Sequence, residues 1–335
     1  MLSEKWQKWS MMGPRHGAEE TMPIEVTPET YIRAETDRIF HNLEQMAGGV
    51  NRLFHLRAPL PLDQQDVVRM NLDTLYSVAI VDTQGGATLT LPPVPDRRFM
   101  SALVIDNDHY APAVYYKPGT YQLSGDTKYV QVVIRVQVNA KDPADVAVAN
   151  QLQDGVVIRA HSAEPMAPDR WDPASLTALR VQYEKDASAY GSFKGMMGPR
   201  GSVDEKTRHI AAAAAWGLNP ETDATYLNYA GNAPANGCYT ATYHVPPNDA
   251  FWSITVYGND GYIKSDNALL NENNVEFNTD GTFTVYFGSE ASCGSKPNRL
   301  DISPGWNFLM RVYRPGKAVL DGSYTLPKAV PVALR

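Results

Sequence analysis

Short runs of β-branched and aromatic residues, separated by turn-forming residues, recur over two long stretches of this chain. The first stretch extends from Val67 to Val138 and the second from Thr225 to Pro327. Gly-Gly, Asp-Gly and Pro-Gly pairs interrupt the runs, and such pairs mark tight turns. Within each stretch no long helical pattern separates one run from the next, which indicates antiparallel strands in a sandwich or barrel. The chain is therefore predicted to be mainly β.

The positions of the strands follow from the residues that each run contains. Valine, isoleucine, threonine and aromatic side chains fit the pleated, half-buried surface of a sheet. The strands predicted on this basis are 74–81, 87–91, 99–105, 113–116 and 129–138 in the first stretch, and 225–229, 238–245, 251–257, 281–287 and 306–313 in the second.

Helical patterns lie before and between the two β stretches. Thr27-Pro28-Glu29 gives a helix start, with an N-cap residue followed by proline, and this helix should end before Gly48-Gly49. Three further helices are predicted at 142–152, at 173–190 and at 203–216. The predicted organisation is an arm at 1–27, a lead-in helix with a first β-sandwich at 28–140, a helical connector at 141–221 and a second β-sandwich at 222–335.

Length and charge limit the domain count and the partners. At 335 residues the chain exceeds what one hydrophobic core usually supports, which predicts two domains. A net charge of −7 with scattered basic residues argues against a nucleic-acid or anionic-membrane surface. No apolar run approaches the roughly 20 residues of a membrane span. The first residues also lack an apolar run and a cleavage site, which predicts no signal peptide and a cytoplasmic location for the chain as it stands.

The sequence contains two cysteines, Cys238 and Cys293. Two cysteines in a chain of this length do not make a disulfide framework. Two inert thiols are therefore favoured, and a bond between them is the less favoured alternative.

Polar residues lead directly into a predicted strand at two distant places, Asn71–Ser77 and Asp249–Tyr257. Further landmarks are Tyr31–Asp37, Asp108-His109-Tyr110, Arg208-His209, Trp216–Glu221, Pro304–Phe308, Arg311–Pro315 and Leu320–Ser323. In this order the segments resemble a bacterial and viral family with two domains of unknown function, numbered 1254 (N-terminal) and 1214 (C-terminal). The resemblance extends from about Thr27 to Pro327.

The resemblance implies two jelly-roll-like β-sandwiches with helices between them, in agreement with the strand pattern. It also implies that relatives are often exported, and that similar members place two cysteines close together in the loop where this chain has Cys293 and Arg299. One departure is Leu72, because the family usually has an arginine at this place. Any anion binding or ion pairing by that arginine would be lost or moved in this chain.

Signatures of several enzyme classes are missing from the sequence. It has no Gly-x-Ser-x-Gly nucleophile motif and no zinc-ligand spacing. Gly48-Gly49 and Gly85-Gly86 are isolated pairs rather than phosphate-binding loops, so nucleotide cofactors are disfavoured. Asp106-Asn107-Asp108-His109 is interpreted as a polar turn at a strand end, because its two aspartates share one strand face and the histidine does not. No metal site is therefore predicted, although ligands from distant strands stay an open alternative.

Charged residues of the first helix are spaced as ion pairs. Arg38 lies three residues after Glu35, and Asp37 lies four residues after Arg33, positions at which helical side chains meet. Surface ion pairs are favoured over the alternative that this helix presents its carboxylates to a cavity.

Two hypotheses for the function follow. In the first, the chain is an acid–base enzyme of hydrolase or lyase type, without an organic cofactor, that acts on a small polar or ring-containing substrate. The residues assigned to this reaction are Asp73 and His109 for proton transfer, Arg33 and Arg311 for holding an anion, and Asn71, Tyr76 and Trp252 for shaping the pocket.

In the second hypothesis the sandwiches bind a glycan or a surface partner, or assemble, without catalysis. The enzyme is favoured because several ionisable residues lie within the landmark segments. Exposed edge strands in either case predict a homo-oligomer.

Overall fold

The computed structural model describes residues 22–65, 68–95, 98–231 and 233–332. The arm predicted at 1–27 lies almost entirely outside these residues. Within them the chain forms sixteen β-strands and six α-helices, and the strands associate into four sheets. The prediction of a mainly β protein is confirmed at this level.

The described chain divides into two compact units that are discontinuous in sequence. The N-terminal unit comprises the described chain up to Ala58 together with Thr74–Glu221, and the C-terminal unit comprises Pro59–Asp73 together with the chain from Thr222 onward. A short segment from the first part of the sequence therefore folds with the last third of the chain. The four-part division predicted from the sequence stays a prediction.

The N-terminal unit holds a five-stranded sheet of order β1-β2-β7-β4-β5 and a three-stranded sheet of order β6-β3-β8. All their strand pairs are antiparallel. One apolar cluster contains residues of both sheets, such as Leu89 and Val132, so the two sheets share a core. The strands are β1 Phe54–His55, β2 Thr74–Asp82, β3 Ala87–Leu91, β4 Met100–Asp106, β5 Ala113–Tyr115, β6 Gly119–Leu123, β7 Tyr129–Gln137 and β8 Val157–Ala160.

The C-terminal unit holds two four-stranded sheets, of order β12-β11-β15-β9 and β14-β13-β10-β16. Their pairs are antiparallel except for β13 with β14. A single apolar core draws buried side chains from both sheets, among them Phe287, Trp306 and Phe308. The strands are β9 Ala224–Ala230, β10 Tyr239–Tyr243, β11 Trp252–Tyr257, β12 Leu269–Asn271, β13 Phe283–Phe287, β14 Arg299–Leu300, β15 Asn307–Tyr313 and β16 Val330–Pro331.

The longer helices begin and end where local chemistry requires it. Asp142 and Asp172 cap two helices by accepting backbone N–H groups, each with proline at the first helical position. Gly48, with φ +76°, ends the first helix. No described helix is long and apolar enough to cross a membrane. The helices are α1 Tyr31–Ala47, α2 Pro143–Asp154, α3 Pro173–Asp186, α4 Arg208–Ala214, α5 Glu290–Cys293 and α6 Lys317–Leu320.

Helix α4 is shorter than the helix predicted at 203–216, and a local side chain explains its late start. The Asp204 carboxylate accepts the Lys206 amide at 3.0 Å and the Thr207 hydroxyl at 2.9 Å. Such bonds offer the backbone an alternative to helix hydrogen bonding, so the helix begins only after them.

Cys238 and Cys293 form a disulfide bond, with their Sγ atoms 2.04 Å apart. The preference for two free thiols was therefore wrong. Cys238 lies immediately before β10, and Cys293 lies six residues after the end of its partner strand β13. Tyr239 faces Phe287 in this ladder, so strand pairing brings together two cysteines that are 55 positions apart in the sequence.

Candidate functional site

Asp73, a predicted proton-transfer residue, is fully buried in the C-terminal unit. Its carboxylate accepts a hydrogen bond from the Ser253 hydroxyl at 2.5 Å and one from the Asn271 amide at 3.0 Å. Both donors are set by strand register, because Ser253 faces Asn271 across β11 and β12. Burial raises the pKa of the Asp73 carboxyl, while the nearby Arg311 guanidinium and the two hydrogen bonds oppose part of that rise.

Arg311, a predicted anion holder, lies opposite Ser253 on β15 and is also buried. Its guanidinium donates to the Thr255 hydroxyl at 2.9 Å, the Tyr257 hydroxyl at 2.8 Å and the Arg69 carbonyl at 2.7 Å. Burial alone would lower the pKa of this guanidinium, but Tyr257, Tyr313 and Asp73 raise it above its ordinary value. Arg311 therefore stays charged. We call this group the Asp73 cluster: Asp73, Ser253, Thr255, Tyr257, Asn271 and Arg311.

Asn71 contacts this cluster, whereas Trp252, the neighbour of Ser253 on β11, packs in the apolar core of the unit. The Asn71 side chain accepts the Asp73 amide and donates to the Tyr313 hydroxyl, both at 2.8 Å. Trp252 is buried and stacks on Phe283, with ring centroids 4.4 Å apart. Three of the landmark segments, those that contain Asn71, Ser253 and Arg311, thus meet inside the C-terminal unit, where they join Pro59–Asp73 to the β11–β15 sheet.

Leu72 stands where the resembled family usually has an arginine. Its side chain is partly buried and packs against the apolar core of the C-terminal unit. At this position the chain therefore makes an apolar contact.

His109, the other predicted proton-transfer residue, lies in the N-terminal unit and is fully buried. It follows β4 in a left-handed conformation, with φ +61°. Its Nε2 accepts the Gly217 amide at 3.2 Å, and its ring stacks on Trp216 at 5.1 Å. Burial first, and then the positive charge of Arg208, lower the pKa of His109 to about 3, so the imidazole is neutral.

The charged face of α1 differs in one respect from the spacing prediction. Arg38 pairs with Glu35 as expected. Arg33, a predicted anion holder, instead pairs with Asp108, and Asp37 accepts from Trp171 at 2.8 Å and from Asn107 at 2.7 Å. The expected pair of Arg33 with Asp37 was wrong, because Asp37 lies on the buried side of the helix, where neutral donors satisfy it.

Tyr76 lies on β2 in the N-terminal unit, beneath the guanidinium of Arg135 at 5.4 Å. Arg135 also donates to Asn219 at 3.1 Å. Tyr110, in the turn after β4, makes similar contacts. The guanidinium carbon of Arg200 lies 4.0 Å from the centroid of its ring, and that of Arg208 lies 3.6 Å from it. Neither arginine contact of Tyr110 was predicted.

The turn after β4 is held by a carboxylate that binds two of its backbone amides, while Asn107 Oδ1 and His109 Nδ1 are buried without a hydrogen-bond partner among the described residues. The Asp106 carboxylate accepts the amides of Asp108 at 3.0 Å and Tyr110 at 2.9 Å. Across the described residues no three histidine, cysteine, aspartate or glutamate side chains are grouped so that they could hold a metal ion.

An open cavity of about 400 Å³ lies in the C-terminal unit. It is bounded by β12, by the segment Ser295–Leu300 and by Glu276 and Glu290. Most of its lining residues are polar, and none was predicted as a site residue. We call this region the cavity.

Two kinds of polar group line the cavity. Asn274 and Asn298 hold the scaffold together, donating to the Leu269 and Glu276 carbonyls at 3.0 and 2.7 Å. Arg299 pairs with Asp301. By contrast, the side chains of Glu276, Glu290 and Lys296 make no hydrogen bond or ion pair with any described residue, and all three are exposed.

Comparison with known proteins agrees with this two-part, mainly β architecture. Residues 224–317 match the family model described as a protein of unknown function (DUF1214), and residues 50–121 match that described as a protein of unknown function (DUF1254). The sequence resemblance to both domains is thus confirmed over these ranges. A search of curated proteins finds no match.

Two solved structures share the fold. One is a protein from Vibrio parahaemolyticus, 17% identical, with a TM-score of 0.70 over 91% of this chain and 97% of that chain. The other is an uncharacterised protein from Burkholderia cenocepacia, 15% identical, with a TM-score of 0.53 over 92% of this chain and 91% of that chain. At such identities the likeness shows the fold alone.

Proposed function

We propose that the C-terminal unit is a binding module for a small, neutral, hydroxyl-rich molecule such as a sugar or the end of a glycan. The observation that carries this proposal is the cavity, where Glu276, Glu290 and Lys296 have no hydrogen-bond or ion-pair partner among the described residues. Its volume of about 400 Å³ falls within the size range of small-molecule sites.

The charges of the cavity favour a neutral ligand over an anion. Two carboxylates without a hydrogen-bond partner in the described chain can accept hydrogen bonds, and the Lys296 ammonium, whose one described contact is the Tyr286 ring at 5.7 Å, can donate them. Arg299 adds little positive field, because Asp301 neutralises it. A phosphate or carboxylate ligand would meet two like charges, whereas a hydroxyl group can donate to the glutamates and accept from the lysine.

The architecture of the module belongs to the same proposal. Each unit has two sheets that share one core, which supports jelly-roll-like β-sandwiches with the helices of 143–214 as a connector. Sheet edges also support assembly into a homo-oligomer. Sedimentation at micromolar concentration would count against assembly if it gave only the monomer mass.

The test is a thermal-shift screen of the full chain with glucose, N-acetylglucosamine and cellobiose, with inorganic phosphate as the anionic comparison. A ligand that binds only the folded state raises the melting temperature with concentration. We expect at least one sugar to do so, and the double variant E276A/K296A to lose the shift. A matched double variant at an exposed ion pair away from the cavity, D260A/K264A, should keep it. No shift with any sugar, or an equal shift in E276A/K296A, would overturn the proposal.

A second candidate is the acid–base enzyme, and one observation favours it. Burial raises the pKa of Asp73, so this carboxyl holds its proton at higher pH than an ordinary aspartate, as a general acid requires. It stands second because Asp73 has no exposed surface in this conformation. In a screen of chromogenic esters and glycosides, D73N and H109N must each abolish any turnover found. Unchanged turnover in both variants rules out the assignment of proton transfer to Asp73 and His109.

A further inference from the structure

A disulfide bond ends in the segment that forms one side of the cavity. Cys293 is the last residue of α5, and the lining residue Glu290 is the first residue of that helix. The other lining residues of this segment, Ser295–Leu300, begin two positions after Cys293. Cys238, at the other end of the bond, immediately precedes β10. The bond therefore fastens the side of the cavity to the β10–β13 sheet.

Few other contacts hold the middle of this segment. At its far end the Asn298 amide donates to the Glu276 carbonyl at 2.7 Å and the Thr284 carbonyl at 3.0 Å. At its near end the Ser289 side chain caps α5. Between them, Ser295–Pro297 is exposed and forms no hydrogen bond with other residues in the described part of the chain. A contact with the adjacent sheet is made by Lys296, whose Nζ lies 5.7 Å from the Tyr286 ring centroid. A four-residue helix has little stability of its own, so the disulfide is an important restraint on the position of Glu290.

We propose that the Cys238–Cys293 disulfide is a redox latch on the cavity: the oxidised protein holds the segment 289–297 in its binding conformation, and reduction releases it. The inference rests on the proposed function for its consequence, because a released segment must be ordered again when a sugar binds. Ordering released backbone has an entropic cost, so we expect sugar affinity to fall about tenfold or more on reduction.

The reductant is a dithiol, and the reaction balances by ordinary thiol–disulfide exchange. Cys238 is half-buried whereas Cys293 is buried, so the first thiolate of the reductant attacks the Cys238 Sγ. The bond between the two sulfur atoms breaks, and Cys293 leaves as a thiolate that takes a proton. The second thiol of the reductant then attacks the mixed disulfide and releases Cys238 as a thiol. The protein gains two electrons and two protons, and the reductant becomes a disulfide.

Hydrogen–deuterium exchange of the full chain tests the latch without any ligand. Within residues 288–298 the amides of Gly288, Ser292, Cys293 and Gly294 are hydrogen-bonded to carbonyls, and these should exchange at least about tenfold faster in the reduced protein and in C238S/C293S than in the oxidised protein, because local opening sets their rate. Amides of β15 serve as the internal control and should not change. Reoxidation must restore slow exchange. If residues 288–298 exchange at the same rate in the oxidised and reduced proteins, the latch does not exist.

Isothermal titration with the tightest-binding sugar of the three measures the consequence. Affinity that falls on reduction and in C238S/C293S, and returns on reoxidation, supports the latch. Equal affinity in both redox forms overturns the latch while leaving the binding proposal intact. Failure of every sugar to bind the oxidised protein overturns the binding proposal, and the exchange rates of 288–298 then decide the latch alone.

Discussion

Two polar regions of the C-terminal unit use charged residues in opposite ways. In the Asp73 cluster the carboxylate and the guanidinium are buried, and hydroxyl, amide and carbonyl groups bind them. In the cavity the asparagine amides are hydrogen-bonded, but the exposed side chains of Glu276, Glu290 and Lys296 make no hydrogen bond or ion pair with the described residues, and Lys296 contacts only the Tyr286 ring. The cluster draws Asp73, Ser253 and Arg311 from three of the segments that carry the family resemblance, whereas the cavity is built mainly from residues between or after the strands.

This difference shows that charged residues in a motif of a protein family can be buried in the interior of the fold. Buried charges need several directed partners, and those partners must come from fixed places in the sequence. Asp73, Ser253 and Arg311 meet this requirement, which gives them a structural reason to occur together. A ligand site needs free groups instead, and groups of that kind leave no spacing pattern.

The largest expected effect comes from the Asp73 cluster. R311M removes the donors to Thr255, Tyr257 and the Arg69 carbonyl, and it leaves Asp73 without its nearby positive charge. Breaking such a buried arrangement costs about 3–5 kcal/mol of unfolding free energy. The measurement is urea unfolding followed by fluorescence, with K296M at the cavity as the matched control, expected to change stability by less than about 0.5 kcal/mol. Equal losses in the two variants would contradict the contrast between the regions.

The dependence of stability on pH tests a buried group of the N-terminal unit, His109, in the same way. The pKa of His109 is about 3 in the fold against 6.5 when exposed, so the unfolded chain binds the proton first as pH falls. The stability due to neutral His109 is complete above pH 6.5 and is lost as pH falls toward 3. Between pH 7 and pH 4 the loss is on the order of 3 kcal/mol.

The control for this prediction is H109N. Asparagine tolerates the left-handed backbone at φ +61° and can accept the Gly217 amide, but it does not titrate. Unfolding free energies of both proteins from pH 4 to pH 7 should therefore diverge, with the steeper slope in the wild type. Parallel curves would show that His109 is not held neutral by burial.

Much of the fold could be predicted from the sequence, and what was missed has a common cause. Strands β2, β3 and β7 are rich in β-branched residues and are bounded by turn-forming residues, and their predicted bounds agree with the structure to within one residue. Strands β1, β14 and β16 have two residues each, too few to show a period, and exist because a neighbouring strand pairs with them. The disulfide was missed for the same reason, because it is the pairing of β10 with β13 that brings Cys238 and Cys293 together.

The candidate site residues were likewise predicted only in part. The landmark segments pointed to Asn71, Asp73, Trp252 and Arg311, and the structure brings these four into one unit. Their burial could not be predicted, because an isolated polar residue gives no sign of which partners will surround it. The cavity was missed because Glu276 and the segment with Glu290 and Lys296 are separate in sequence, and only the tertiary fold brings them together. Proton transfer by Asp73 and His109 stays a prediction.

Two substitutions of Asp73 distinguish the contribution of its charge to stability from that of its hydrogen bonds, and their expected effects are smaller. D73A leaves the Ser253 hydroxyl and the Asn271 amide unpaired, at a cost of about 1–3 kcal/mol, whereas D73N can bind both. Because burial raises the pKa of Asp73, the unfolded chain loses this proton first as pH rises, and wild-type stability falls above about pH 4.

The stability of D73N relative to the wild type should therefore improve as pH rises from 4 to 7, measured by urea unfolding at each pH. A constant difference across that range would mean that Asp73 is ionised in the fold at every pH tested. D73A marks the loss of the hydrogen bonds and should stay below D73N throughout.

The smallest effect on stability is expected at the cavity, together with the clearest effect on binding. E276Q replaces an exposed carboxylate that has no partner among the described residues, so the unfolding free energy should change by less than about 0.5 kcal/mol. A sugar hydroxyl bound to this carboxylate makes a charge-assisted hydrogen bond of about 1.5–3 kcal/mol, so its loss should weaken binding about tenfold or more.

The control is E184Q, at an exposed glutamate on α3 outside the cavity, and isothermal titration of both variants with the same sugar gives the comparison. If E276Q binds as the wild type does, Glu276 makes no contact with the sugar. If E276Q instead unfolds as easily as R311M, the distinction between a structural cluster and a free binding surface fails, because the cavity would then also be holding the fold together.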